Sequence, residues 1–375
     1  MISKIFLFLL VLLLHQPTII FSAPNPCPCS DISLCNPVTV GPRPELFAFR
    51  VPSRDPDDII WQSYNWSILT TIAVFGNVSA DLFCYAHSKN VRIVRGWDIP
   101  NDQLTNVTYV EEWVNTTATM VRENYWDGIN LDIEGNTANA NALTTATQLL
   151  YNALKQDNPY AQLTFDTAAF PLEYQDGYDF KALANLCDFL IPMFYDMDWG
   201  SNIAGSNSNY QGIIKGLQQY TTTLNIPSSK VLLALPWYSY VYPCTNPPPA
   251  SLQTTSSTLV IHDNTIPTCK LDNWNNAADW SQTYGNTVDD LLPLAPNSTY
   301  TIDPVTESGV FSFMINSTAW KQVWFDPVET LLVKYQTAKN GGFRGIAMWY
   351  AECLNYTEPT QVNAMWGAIA EGFFS

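Results

Sequence analysis

An α/β fold of the (β/α)8 TIM-barrel type, with an insertion in its seventh βα unit, is what this 375-residue sequence predicts. Three observations carry the prediction. Eight short apolar or alternating runs recur along the chain, amphipathic helical patterns separate most of them, and the polar residues that stand out fall where runs end. Once a leader is removed, about 350 residues remain, a length suited to one such barrel plus an insertion.

Taken in order, the first 23 residues read as a signal peptide rather than fold. Lys4 supplies a positive start, Ile5 to Leu14 an apolar run too short to span a bilayer, and Ser22 and Ala23 small residues for cleavage. No later stretch is long enough to cross a membrane, so residues 24–375 are expected to form a single domain on the secretory route. The strand-like runs are Glu45–Val51, Leu69–Phe75, Val91–Gly96, Gly128–Glu134, Gln162–Thr167, Asp188–Tyr195, Val231–Trp237 and Arg344–Tyr350. Between them Val110–Tyr125 and Ala142–Asn158 are the clearest helical patterns, joined by Gln211–Asn225, Pro327–Lys339 and Gln361–Glu371. The segment of about 238–323 breaks the alternation. It is rich in Pro, Asn, Ser and Thr, contains Pro247-Pro-Pro249, and is expected to be tied down by Cys244 and Cys269.

The fourth run, Asp127-Gly-Ile-Asn-Leu-Asp-Ile-Glu134, carries the most information. Strand side chains alternate between faces, so Ile129, Leu131 and Ile133 share one face while Asn130, Asp132 and Glu134 share the other. Burying a row of acids and amides is costly, and proteins keep such rows chiefly where they do chemistry or bind polar groups. In a barrel, active sites form where strands end and βα loops begin. Ring closure would bring Asp132 and Glu134 together with Tyr195 and Asp196, which close the sixth run, and Trp349, near the end of the eighth.

Composition narrows the function classes. A net charge of −17 and a pI near 4.3 argue against nucleic acid or an anionic membrane as partner, and fit work at low pH. The 13 Trp and 19 Tyr exceed what core packing usually requires, and sugar rings stack well on such faces. All eight cysteines follow the leader, which favours disulfides, although the sequence leaves their pairing open. Cys27-Pro-Cys29 lacks the further ligands of a zinc site, and the mature chain holds just His87 and His262, so no metal and no cofactor is expected. Sequons at Asn65, Asn77, Asn106, Asn115, Asn297, Asn316 and Asn355 are candidates for glycosylation.

The chain resembles glycoside hydrolase family 18, the chitinase-like enzymes. Asp127 to Glu134 is similar to the family's Asp-x-x-Asp-x-Asp-x-Glu signature, Met193-Phe-Tyr195-Asp196 to its Met-x-Tyr-Asp, and Trp349 to the Trp of its last strand. The chitobiase branch is nearest, through Asp127-Gly-Ile-Asn130, Cys27-Pro-Cys29 with Cys35, Cys84-Tyr-Ala-His-Ser-Lys89, Pro236-Trp237-Tyr238 and Gln322-Val-Trp324. The resemblance implies a retaining, substrate-assisted glycosidase cleaving β-1,4 bonds at N-acetylglucosamine, in the chitobiose core of N-glycans or in chitooligosaccharides. In that scheme Glu134 is acid and then base, and Asp132 orients the 2-acetamido N–H while an oxazolinium ion forms. Tyr195 donates to the acetamido carbonyl, and Trp349 is the floor under the sugar. Asp196, Met193 and Trp237 are further candidate substrate contacts, Asn130 a supporting residue, and Asp127 a supporting residue of structural kind. The like charge of Asp132 is expected to raise the pKa of Glu134. Asn130 stands where most members carry Asp, so Asp132 is expected to ionise more readily and the activity optimum to move acidic. Ala234 and Ser239 replace usual glycines, and Ala168-Ala-Phe170 departs from the branch's Trp-containing stretch. A chitinase acting on polymer would want a long aromatic groove, and a non-catalytic lectin would typically lack Glu134. A lysosomal monomer is expected, with secretion as the alternative.

Overall fold

Eight parallel strands close into a barrel, each hydrogen-bonded to its two neighbours, in a computed structural model that describes residues 25–174, 177–197, 200–253, 266–272 and 281–375. The signal-peptide reading lies outside the described residues. The barrel strands are β1 (Glu45–Arg50), β2 (Thr71–Val74), β3 (Arg92–Trp97), β4 (Gly128–Leu131), β5 (Gln162–Ala168), β6 (Phe189–Met193), β7 (Leu232–Pro236) and β13 (Gly345–Trp349). They follow one another around the ring in chain order, and β13 pairs with β1 to close it. Each of the eight sequence-predicted strands is present, its ends displaced by at most three residues.

The alternation of side chains builds two apolar layers. Phe47, Phe49, Val94, Phe189, Ile191 and Leu232 fill the barrel interior. Leu46, Ile93, Ile129, Leu163, Leu233 and Ile346 belong to the larger core shared with the surrounding helices. Burying a side chain of this size stabilises the fold by ~2 kcal/mol.

The helices are α1 (Ala80–Ser88), α2 (Val107–Glu123), α3 (Ala140–Asp157), α4 (Phe180–Leu186), α5 (Tyr210–Gln218), α6 (Val328–Asn340) and α7 (Pro359–Ile369). Side-chain oxygens of Ser79, Asn106, Asn139, Asp179 and Asn209 cap the first five by accepting backbone N–H groups of the first turn. The short helices α1 and α4 are absent from the sequence-predicted set.

Between β7 and α6 the chain leaves the barrel and builds a second sheet. Strands β8 (Tyr238–Cys244), β9 (Ser281–Thr283), β10 (Thr301–Asp303), β11 (Ser308–Met314) and β12 (Trp320–Phe325) pair antiparallel in the order β10-β11-β12-β8-β9. Val241, Phe311, Val323 and Phe325 join the main core. Tyr240, Tyr242, Val310, Trp320 and Trp324 form a separate cluster with Cys269 and Leu271.

Three disulfides link Cys27–Cys35, Cys29–Cys84 and Cys244–Cys269. The second pins the N-terminal segment to α1, and the third closes part of the inserted sheet. Cys27, Cys29 and Cys35 are thereby committed as disulfides rather than thiolate ligands. Cys187 and Cys353 are buried and unpaired, so the even count does not mean that every cysteine pairs.

Candidate active site

The fourth strand sets the site. Gly128 opens β4 at φ +149, and a Cβ there would lie 1.8 Å from the carbonyl oxygen of Gln162, so no larger residue fits between β4 and β5. From this point Ile129 and Leu131 turn outward into the helical core, and Asn130 turns inward, fully buried. The regular ladder of β4 ends at Leu131, short of the predicted Glu134, yet the backbone N–H of Asp132 still donates to the carbonyl of Trp97 at 2.9 Å. Asp132 therefore keeps the inward direction set by the pleat, and Glu134 follows at the rim.

Glu134, Met193, Tyr195 and Asp196 line one cleft of about 540 Å3, walled also by Ala168, Phe170 and Tyr174. The Tyr195 and Trp349 rings stack at 6.5 Å and 22°. Trp349 is held edge-on by Phe49 at 5.2 Å and by Phe75 at 5.5 Å, so its orientation is fixed by the barrel core. Six of the predicted residues (Asp132, Glu134, Met193, Tyr195, Asp196 and Trp349) thus meet at the carboxyl ends of the strands.

Two predicted residues do not join them. Asp127 lies at the opposite end of β4, where its carboxylate accepts the backbone N–H groups of Val38 and Ile93 and pairs with His87 at 2.9 Å. It supports the strand from below and has no place in the cleft. Trp237 is corrected outright. Its indole is 1% exposed, donates to the Tyr335 hydroxyl and packs edge-on against Trp366, in the core shared with the helices. One position past the barrel strand, alternation has turned it away from the mouth.

Five carboxyls, Asp98, Asp132, Glu134, Asp166 and Asp196, crowd the mouth, and no cation is among the groups acting on the raised ones. Burial first, then Glu134 and Asp98, push Asp132 up to about 7. Asn130 removes one like charge, yet desolvation and these other acids still hold Asp132 well above the ordinary carboxylate value. Glu134 is raised by burial and then by the charge of Asp196, so the expected direction holds with a different neighbour. Asp196 is raised by burial, against which hydrogen bonds from Tyr238 and Tyr240 work. Tyr195 is pushed well above the ordinary phenol value by burial and by Asp166, Asp132, Asp196 and Glu134, and so remains a hydrogen-bond donor.

Several residues of this site escaped the sequence reading. Asp166 on β5 points inward, is 2% exposed, and accepts a hydrogen bond from Asn130 Nδ2 at 2.9 Å. Thr164 and Asp166 alternate with Leu163 and Phe165 as Asn130 and Asp132 do with Ile129 and Leu131, so the same period-two argument would have found it. Tyr178, ahead of α4, donates to the carbonyl of Ile133 at 2.8 Å and steadies the loop carrying Glu134. The Tyr238 and Tyr240 hydroxyls both donate to Asp196 Oδ1, the latter at 2.5 Å, while Asn207 Oδ1 accepts the Asp196 N–H at 2.7 Å. Asp196 itself has φ 55, a left-handed conformation that these contacts hold. Ser239, one of the two replaced glycines, hydrogen-bonds Thr287 at 2.5 Å on the far face of β8, and Ala234 packs inside the barrel. Neither lines the cleft described here. Chemically, the mouth offers a protonatable carboxyl at its rim, a second behind it, a phenol donor and an aromatic platform.

Known proteins share the sequence pattern and the fold of this chain. The sequence pattern of the "Glycosyl hydrolases family 18" matches residues 94–352. Di-N-acetylchitobiase of Mus musculus is 30% identical over 369 residues, covering 95% of this chain and 96% of that protein. A "Probable di-N-acetylchitobiase 1" of Dictyostelium discoideum is 30% identical over 98% of this chain and 99% of its own length. Among solved structures, a chitinase from Cycas revoluta in complex with (GlcNAc)3 shares the fold with a TM-score of 0.68 at 14% identity, over 88% of this chain and 100% of that one.

Proposed function

We propose that this chain, which belongs to the glycosyl hydrolases of family 18 and is a glycosidase, cleaves the β-1,4 bond of N,N′-diacetylchitobiose and of short chitooligosaccharides by substrate-assisted catalysis. Its carrying observation is Glu134 at the cleft rim with Asp132 behind it and Tyr195 in the same cleft, close enough for both charges to act on its phenol. Glu134, whose protonated form burial favours, gives its proton to the leaving glycosidic oxygen. The substrate's own acetamido oxygen attacks the anomeric carbon as that bond breaks, giving the oxazolinium ion. Asp132 receives the acetamido N–H and balances the positive charge, and Tyr195 holds the carbonyl in line. Water, deprotonated by Glu134, then opens the ring with retention. Trp349 is the apolar floor, and Asp196 and Met193 border the sugar. Residues 24–375 act as one catalytic domain.

The raised carboxyls suit an acidic compartment, and the proposed site of action is the lysosome, with the chitobiose core of N-glycans as substrate and secretion as the alternative. Among the described residues no helix is long and apolar enough to cross a membrane. The presence of Glu134 argues against a purely sugar-binding role. The test is turnover of chitobiose, longer chitooligosaccharides and a free Asn-linked core glycan between pH 3 and 8. Glu134→Gln should lose at least roughly 1,000-fold in kcat while still binding chitobiose, in line with removal of general acid–base catalysis. Equal activity in the two forms would defeat the proposal.

A further inference from the structure

Position 130 is an amide, and the next strand sets a buried acid beside Asp132 instead. In the parallel β4–β5 ladder Asn130 stands opposite Thr164 and Leu131 opposite Phe165. Asp132 continues β4 by its bond to Trp97, so the same register sets it beside Asp166. Neighbouring strands lie ~4.8 Å apart, and both side chains point into the barrel. Asp166 is 2% exposed, and Asp132 Oδ1 is buried with no hydrogen-bond partner among the described residues. Asn130 Nδ2 spends its two hydrogens on Thr164 Oγ1 at 3.0 Å and Asp166 Oδ1 at 2.9 Å, which fixes the orientation of the Asp166 carboxyl.

We infer that Asp166 is a positioning residue that shares a single proton with Asp132 across β4 and β5, in the role an acid at position 130 would otherwise fill. Two carboxyls side by side in a dry site cannot both ionise cheaply, and the pair settles at one proton and one negative charge. The surrounding groups favour this. The pair is faced by Glu134 beyond β4, Asp98 beyond β3, Tyr195 and Asp196 beyond β6, and Tyr178 ahead of α4, and none of these is a cation. Burial and the Asp132 charge hold Asp166 well above the ordinary carboxylate range. When substrate arrives, the O–H bond on Asp132 breaks and one forms on Asp166. The pair keeps its charge of −1, and Asp132 is left anionic toward the acetamido N–H. When the oxazolinium ion opens, the proton returns.

This rests on the glycosidase reading above, and the experiment separates the two. In a Glu134→Gln background, infrared difference titration should detect one buried protonated carboxyl in the Asp132–Asp166 pair at about pH 6.5, where isolated carboxyls are ionised. Adding Asp166→Asn should remove that band or shift its midpoint down by about one pH unit or more, since two coupled groups become one. With Glu134 intact, Asp166→Asn should lower kcat roughly tenfold with KM changed less than about threefold, and Asn130→Asp/Asp166→Asn, which moves the carboxyl back one strand, should recover most of kcat. An unchanged band in the Asp166→Asn form, or a folded double variant that recovers no kcat, overturns the pairing. Should Asp166→Asn fail to fold, absence of the band from the Glu134→Gln protein itself does so. Full turnover by Glu134→Gln would instead remove the glycosidase reading and leave the band untouched.

Discussion

Two hydroxyls from β8 converge on one oxygen of Asp196, and they come from the inserted sheet rather than from the barrel. A hydrogen bond to an ionised group contributes ~2 kcal/mol, so the pair decides both where Asp196 points and how readily it ionises. Burial raises Asp196 and these bonds oppose the rise; their removal should raise it further. The double variant Tyr238→Phe/Tyr240→Phe is therefore expected to lower kcat/KM on chitobiose by roughly tenfold, with the single variants between it and the parent. A double variant with parental kcat/KM would show that Asp196 does not depend on the clamp. At this scale the sequence made Asp132, Glu134, Tyr195 and Trp349 readable, because each lies where a predicted strand ends. Trp237 misled for the same reason. It too ends a strand, and a one-residue step past β7 sends its indole to the other side of the wall.

A single strand, β4, divides its labour between its ends. Glu134 opens to the cleft, whereas Asp127 binds three separate pieces of the barrel floor: Val38 of the N-terminal segment, His87 of α1 and Ile93 of β3. Asp127→Ala would leave two buried N–H groups and an imidazole without their partner. It should cost about 3 kcal/mol of stability, read by urea unfolding, with kcat per folded molecule unchanged. A loss of kcat at full stability would instead assign Asp127 to the chemistry. The eight barrel strands were legible because their apolar content is dense and their spacing regular. Helices α1 and α4, of 9 and 7 residues, are too short for the helical period to stand out, although Ser79 and Asp179 are ordinary caps that mark their starts. The inserted sheet was hidden for another reason. Both faces of β11 and β12 are buried, so their sequences lack the clean alternation of a half-exposed strand.

Four raised carboxyls gather at the barrel mouth, buried Asp326 and Glu352 are raised elsewhere, and together they set how the stability of the whole molecule answers to pH. A carboxyl whose pKa rises on folding adds stability that is complete below its unfolded value and is lost as pH climbs through the folded one. Asp132 moves from 3.8 to about 7, on the order of 4 kcal/mol in favour of the protonated folded form, and Glu134, Asp166 and Asp196 are displaced in the same direction. Scanning calorimetry should thus give a Tm that falls between about pH 4 and 7, helped by mutual repulsion in a chain of net charge −17. A Tm that climbs over that interval would contradict it. The barrel and the core of the acidic mouth could be read from sequence since both repeat a simple period. The inward direction of Asp166 follows the same period, but its place beside Asp132 and the pairing of the inserted sheet could not be read, since each depends on which strands become neighbours. That sheet leaves the barrel after Pro236 and comes back at Val328, with its own strand pairing and its own disulfide in between. Its length and outer turns are consequently free to change without disturbing the register of the strands that align the acids, so long as Tyr238 and Tyr240 still reach Asp196.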